Sequence, residues 1–342
     1  MSDVARLAGV HKATASRALS AQGSSRLNAA TVRRVQAAAK RLGYTPNAAA
    51  RSLRTNRSFT VGVILPDLTN PLFPPIVRGI EEVLMSQGYT ALLASTDNDA
   101  ERERTQYHAL LGRQVDGFIV GTASRQHPLL TQAHTADIPI VLLNRGTDET
   151  MFPLVAGDDA AGVTLAVDHL AGLGHRHIAH LAGPPALSTG VVRSRAFRHA
   201  VDAHGIDPAR SPVLTCAAYS EAAGADACAE LLVAHPGTTA IVAGNDLIAL
   251  GALHTLRDRG LSCPEDVSLV GFNDMRFADE LRPPLTTVRV PNVELGAEAA
   301  RLLLARLGAA EGNAVAGSRP VAKTLLLPLE LVVRESTRSP SR

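Results

Sequence analysis

From residue 59 onward, short apolar runs alternate with helix-length amphipathic stretches. No other feature of the chain constrains its fold as much. The runs are FTVGVILPD (59–67), YTALLAST (89–96), DGFIVGT (116–122), IPIVLLNR (138–145), HIAHLAG (177–183), PVLTCAAYS (212–220), TAIVAGND (239–246) and DVSLVGFND (266–274). Segments such as 74–87, 101–111 and 247–259 read as helices between them. Apolar strands alternating with helices imply parallel sheets of the doubly wound α/β kind. Eight such units are too many for one sheet, so two similar lobes are expected.

Open parallel sheets bind ligands beyond the C-terminal ends of their strands. The polar residues at those ends are Asp67, Asn144, Arg145, Asn245, Asp246, Asn273 and Asp274. Two lobes would set them across one cleft. Phe73, near the start of the first helix, offers an apolar wall or ordinary core packing. Asn245 and Asn273 suit either ligand contact or turn capping.

Charge divides the chain differently. Residues 1–60 carry eleven Lys/Arg and one acid, a net +10, whereas the rest carries 23 Lys/Arg against 31 Asp/Glu, a net −8. A strongly basic head on a mildly acidic body points to a polyanion partner.

The head reads as three short helices. In DVARLAGV, residues 3–10, Val4, Leu7 and Ala8 form an apolar stripe, Gly9 supplies the positive φ of a tight turn, and Val10 plugs the corner. Ala15, Ala18 and Leu19 face inward on the second helix, and the small Ala5 and Ala15 let the two helices cross closely. His11, Lys12, Ala13, Thr14, Ser16 and Arg17 then face outward, with donors for base edges and phosphates, as a recognition helix requires. Asn28 caps a third helix whose inward residues are Val32, Val35, Ala38, Ala39 and Leu42, and Gly43 stops it. Residues 1–45 are therefore expected to form a helix-turn-helix DNA-binding head. In residues 46–58, Pro46 stands at a helix start and 47–53 span two turns. Leu53 fits a linker docked on the body, or a hinge helix that wedges its side chain into the minor groove.

The segments DVARLAGV, TASRAL and YTPNAAARSL together resemble the DNA-binding end of the lactose-repressor (LacI) family of bacterial transcription regulators. LELVVREST, residues 329–337, is similar to that family's closing strand, so the resemblance covers nearly the whole chain. It implies a periplasmic-binding-protein-like effector and dimerisation body over 59–342, with two lobes joined by three crossings. These fall near Gly157–Asp158, Val288–Pro291 and Ser318–Lys323, giving lobe 1 about 59–157 and 291–318, and lobe 2 about 158–288 and 321–335. It further implies a homodimer on a pseudo-palindromic operator. Asn28, Thr31, Tyr44, Asn47, Ala50, Arg51 and Leu53 join the recognition helix in facing DNA. Arg193 becomes the main ligand-gripping residue, Tyr219 a ring-stacking aromatic, and Phe73, Asn144, Asp158, Asn245 and Asn273 complete the effector set.

The chain departs from the family pattern in places. Asn144 and Asn273 stand where relatives often have Asp. Two fewer carboxylates make an anion easier to hold near Arg193, so a sugar acid stands beside a neutral sugar as the expected effector. His11 replaces the usual Ser, and Ala15 the usual Val. The family has several residues before Asp3, including a helix-starting Thr; either Ser2 takes over that cap, or the natural start lies upstream.

The resulting expectation is a ligand-responsive transcriptional repressor, cytoplasmic and without cofactor. A corepressor-dependent regulator of purine-type or other non-sugar metabolism is the alternative, and a sugar-processing enzyme on an α/β body a distant one. The chain has no GxGxxG after its first strand, no GxxxxGK[ST], no GxSxG and no HExxH. His175, His177 and His180 cluster near one strand, but no Cys or acid accompanies them as a zinc set would require. Cys216, Cys228 and Cys263 read as small buried residues of a reducing compartment. No charged start leads into an apolar stretch, and no run of 18 apolar residues occurs, so neither a signal peptide nor a membrane span is expected.

Overall fold

A computed structural model describes residues 1–19, 27–44, 57–309 and 322–340. Asn47, Ala50, Arg51 and Leu53, the expected hinge residues, lie outside them.

The head comprises α1 (Ser2–Leu7), α2 (Lys12–Ala18) and α3 (Ala29–Arg41). Its core is small and made largely of alanine: Val4, Ala5, Ala8, Ala15, Ala18, Val35, Ala38 and Ala39. Gly9 sits at φ +60°, and the amide of Val10 closes the turn onto the carbonyl of Ala5 at 3.0 Å. Leu7 and Leu42 were expected inside but are 45% and 46% exposed. Helix α1 buries Val4, Ala5 and Ala8, which leaves Leu7 on its flank, and Leu42 is the C-cap beyond the last turn of α3. The N-cap of α1 is Met1, with no side-chain cap, and Ser2 is already helical.

The body begins with β1 (Thr60–Leu65), α4 (Phe73–Ser86), β2 (Thr90–Ser95), α5 (Ala100–Gly112), β3 (Gly117–Val120), α6 (Pro128–Thr135), β4 (Ile140–Leu143) and β5 (Leu154–Gly157). Then follow α7 (Asp159–Gly172), β6 (Ile178–Ala182), α8 (Ser188–Ala203), β7 (Val213–Thr215), α9 (Glu221–Ala234), β8 (Ala240–Ala243), α10 (Asp246–Asp258), β9 (Ser268–Asn273) and β10 (Thr286–Arg289). Last come α11 (Asn292–Ala309), β11 (Thr324–Leu327) and β12 (Glu330–Val332). Two six-stranded sheets result, ordered β2-β1-β3-β4-β5-β11 and β7-β6-β8-β9-β10-β12. Pairing is parallel except between β10 and β12. The central strands β3, β4, β8 and β9 are buried at every residue, as strands covered by helices on both faces must be. Among the described residues no helix is long and apolar enough to cross a membrane.

The chain passes from the first sheet to the second after β5 and returns between β10 and α11. The third passage was expected near 318–323. Strand β11 instead pairs with β5 in the first sheet, from Thr324↔Leu154 to Leu327↔Gly157, so the passage falls at Pro328–Leu329. Strand β11 therefore belongs to lobe 1 and β12 to lobe 2. Asp274 braces this joint: its carboxylate accepts from Arg334 at 2.7 Å and Arg289 at 2.6 Å, and Arg289 also bonds Glu330.

Where the chain enters lobe 1, the Asp116 carboxylate accepts from the amides of Ser58 (2.8 Å) and Phe59 (3.0 Å), and Arg57 donates to the carbonyl of Leu307 at 2.5 Å. The returning helix α11 packs on α4 at a crossing made by two glycines. A Cβ on Gly79 would stand 1.9 Å from the carbonyl oxygen of Val293, and one on Gly296 would stand 2.0 Å from that of Ile76. Backbone cannot yield as a side-chain tip can, so the helices must separate. Gly79→Ala is expected to destabilise the body by about 1–3 kcal/mol, read as a lower urea midpoint at unchanged slope.

Candidate effector cleft and DNA-facing head

In each sheet the strand order reverses next to the first strand of the lobe, between β1 and β3 and between β6 and β8. Such switch points leave a crevice at the strand C-termini. Glycines follow both β6 and β8. A Cβ on Gly183 would lie 2.2 Å from the Tyr219 ring, so glycine alone lets that ring lie over the strand end. Asn144 and Asn273, which end β4 and β9, have φ of 64° and 110°. Side-chain-bearing residues seldom take this conformation, Asn more readily than most, and such strain gathers at functional sites.

Arg193, on the second turn of α8, is 3% exposed and sits where these elements meet. Its Nη1 donates to the carbonyl of Gly244 at 2.6 Å, and its Nη2 pairs with Asp159 at 2.9 Å. The guanidinium lies 3.7 Å from the Phe272 ring centroid. Burial pulls its pKa down, but Asp159 and Tyr219 outweigh burial and hold it above the ordinary arginine value. Burial pushes the Asp159 carboxyl up, against the pull of Arg193. Only Nε of Arg193 has no partner. The side chain is thus bound within the protein and its charge is met by Asp159, which leaves no free fork for a ligand anion.

Arg145, one residue beyond Asn144, is the opposite case. It is 8% exposed, its guanidinium makes no hydrogen bond or ion pair with any described residue, and its Nε is buried without a partner. Burial lowers its pKa; Tyr219 opposes the shift, and Arg193 adds to it. A chamber of about 20 Å³ is bounded by Asn144, Arg145, Arg193, Tyr219, Asn245 and Asn273. Beside it lies a cavity of about 400 Å³ to which Phe73, Arg145 and Tyr219 contribute. At its far side Glu103, 6% exposed, accepts from Thr122 and faces Nε2 of His127 at 3.3 Å. The Ser124 amide donates to Nδ1 of His127 at 3.2 Å, so the imidazole N–H points at Glu103. A depression of about 630 Å³ around Cys263 and Leu281 lies away from the strand ends.

Three hydrogen bonds tie the lobes together at the mouth of the cleft. The Gly146 amide donates to Ser188 Oγ at 2.9 Å, the Arg125 amide to the carbonyl of Ala186 at 3.0 Å, and Arg125 Nη1 to that of Pro185 at 3.3 Å.

Of the effector residues chosen from sequence, Asn144, Arg193, Tyr219, Asn245 and Asn273 surround the small chamber, and Phe73 lines the larger cavity. Asn245 also caps α10, its Oδ1 accepting from the Ile248 amide at 2.8 Å. Asp158 lines neither space. Its carboxylate caps α7 by accepting from the Ala161 amide, and the next residue, Asp159, turns inward to Arg193. Sequence reasoning missed Asp159, and it named Arg145 only as a strand-end residue. It missed the structural task of Asp246 as well. That buried carboxyl, pushed up to about 7 by burial, accepts from the Met275 amide at 2.7 Å and Thr287 Oγ1 at 2.6 Å, fixing the loop after Asn273. His180 is buried and stacked on Phe197, donates from Nδ1 to the Val242 carbonyl, and is held neutral by burial with a pKa of about 4. Burial also pushes the thiols of Cys216, Cys228 and Cys263 up to about 12.

On the head, His11, Lys12, Ala13 and Arg17 are exposed, and Thr14 and Ser16 are half-buried. The His11 ring accepts from the Ala13 amide at 3.3 Å, so it performs the N-cap task that Ser would perform. Asn28 caps α3 through its Oδ1, Thr31 follows in the first turn, and Tyr44 packs against the head core.

Comparison with known proteins agrees with both parts. The family model of bacterial regulatory proteins of the lacI family matches residues 1–47, and that of a periplasmic binding protein-like domain matches residues 167–337. The ribose operon repressor of Halalkalibacterium halodurans is 34% identical, covering 98% of this chain and 96% of its own. Among solved structures, a transcriptional regulator CelR–cellobiose complex is 33% identical with a TM-score of 0.73, and a lac repressor dimer bound to operator and the anti-inducer ONPF is 28% identical with a TM-score of 0.80. Each covers 98% of both chains. The chain belongs to the LacI family of bacterial regulatory proteins. It is a ligand-responsive transcriptional repressor.

The Arg193–Asp159 pair has a measurable consequence. Arg193→Met leaves a buried carboxylate unpaired and is expected to cost about 3–5 kcal/mol in urea unfolding. Arg193→Met combined with Asp159→Leu is expected to recover most of that loss, because neither variant side chain carries a charge into the interior.

Proposed function

We propose that the effector binds between the lobes, over the ends of β4, β8 and β9, and that its binding sets the affinity of the head for operator DNA. The effector is a sugar or sugar acid, in keeping with relatives named for ribose and solved with cellobiose. Tyr219 and Phe73 stack on or wall its ring. Asn144, Asn245 and Asn273 hydrogen-bond its hydroxyls. Arg193 holds the floor and offers its unpartnered Nε. The observation that carries this reading is the set of three cross-lobe hydrogen bonds beside two neighbouring spaces that share Asn70, Arg145 and Tyr219 in their walls. A ligand that favours those contacts favours the closed body, and so shifts the population of whichever DNA-binding state goes with it.

The head acts through the outward face of α2, with Lys12 and Arg17 at the operator and the Asn28 end of α3 near the phosphates. Two copies on a pseudo-palindrome match the symmetry of a homodimer. The reading requires no catalysis and no cofactor, and it places the protein in the cytoplasm with its operator.

Lys12→Ala combined with Arg17→Ala is expected to abolish sequence-specific binding to an operator recovered by selection from random duplexes. Thermal stabilisation by the effector is expected to persist in that variant. Wild-type affinity is expected to fall steeply as salt rises, since each phosphate contact releases counterions. Fluorescence anisotropy checks both, and undiminished specific binding by the double variant contradicts the assignment of α2.

A further inference from the structure

We propose that Arg145, rather than Arg193, holds the effector's charge, and that the effector is a polyhydroxy monocarboxylic acid. The inference rests on the cleft being the effector site and adds the chemical class of its occupant. A guanidinium withdrawn from water needs acceptors. Arg193 has them in Gly244 and Asp159, whereas Arg145 has none among the described residues. The two arginines border the same small chamber, so each disfavours the other's charge, and Asp159 answers only for Arg193. One uncompensated positive charge therefore faces the cleft.

A carboxylate matches that charge and presents two oxygens in the plane of the guanidinium fork. A phosphate would bring close to a second negative charge and more oxygens than one arginine and the nearby Asn amides serve. The remainder of the cavity has apolar walls, Phe73 and Leu187 among them, and its charged groups other than Arg145 include carboxylates. Asp67 and the Glu103–His127 pair face it from lobe 1. Asp67 already accepts from the amide and hydroxyl of Thr69 at 2.7 Å, and carboxylates so placed receive hydroxyl donors and repel a second anion. The occupant is thus acidic at the Arg145 end and hydroxylated along the rest. Asn144 and Asn273 contribute by being amides: aspartates in their places would neutralise Arg145 from within the protein.

The test uses the full chain and three acids, D-gluconate, D-glucuronate and D-galacturonate, against D-glucose, D-galactose and ribose 5-phosphate, by thermal shift and isothermal titration. At least one acid is expected to raise the melting temperature more than the neutral sugars and the phosphate do. Arg145→Met is expected to reduce the acid-over-neutral preference about 10- to 100-fold. Its ligand-free form is expected to melt no lower than wild type, because a buried unpaired charge has been removed. Stabilisation by neutral sugars or the phosphate alone overturns the carboxylate while leaving the cleft as the effector site. An acid bound equally well by Arg145→Met overturns the role of that residue. No stabilisation by any of the six overturns both readings.

Discussion

The floor of the cleft depends on one buried arginine. Arg193 reaches from α8 to the end of β8 through Gly244, to the start of α7 through Asp159, and onto Phe272 at the end of β9. Those elements come from distant parts of the chain and share only the second sheet. Desolvating a guanidinium costs several kcal/mol, and an ion pair, a carbonyl and an aromatic face together offset it. Lobe 2 thereby gains a rigid polar floor against which Tyr219, Asn245 and Asn273 are set. Asp246 fixes the same floor from below by bonding Met275 and Thr287.

That rigidity moves the adjustable chemistry to the other lobe. Two neutral hydrogen bonds across the mouth contribute about 0.5–1.5 kcal/mol each and the one donated by the Arg125 guanidinium about 1.5–3 kcal/mol, and turning a 1:99 population into 99:1 takes about 5.5 kcal/mol. The mouth bonds alone fall short of a decisive switch at all but their upper range. A charged contact to Arg145, worth about 1.5–3 kcal/mol, closes the gap. In this account closure is weak without ligand and strong with it, as a repressor that senses a metabolite requires.

Much of the architecture was legible in sequence because parallel strands covered on both faces leave continuous apolar runs. Strand ends were legible too, so Asn144, Arg145, Asn245 and Asn273 were named from position alone. Tertiary partners were not. Asp158 and Asp159 differ by one residue in a helix start, and only the direction of each side chain separates a cap from a buried ion pair. The third crossing was misplaced because nothing in TLLL, residues 324–327, states which sheet it joins. Leu7 and Leu42 fit the helical period, but a head core built mostly of alanine is too small to cover them. The charge of the cleft was assigned to Arg193, since sequence shows a cation's existence and not whether the fold has already neutralised it.

A crystal structure of the full chain with its effector bound tests the central claim most directly. The account predicts an oxyanion of the ligand within about 3 Å of the Arg145 guanidinium. It also predicts Arg193 still bonded to Asp159 and to the carbonyl of Gly244. An Arg193–Asp159 pair pulled open, with Arg193 forked onto the ligand's anionic group and Arg145 turned away from it, would contradict the account.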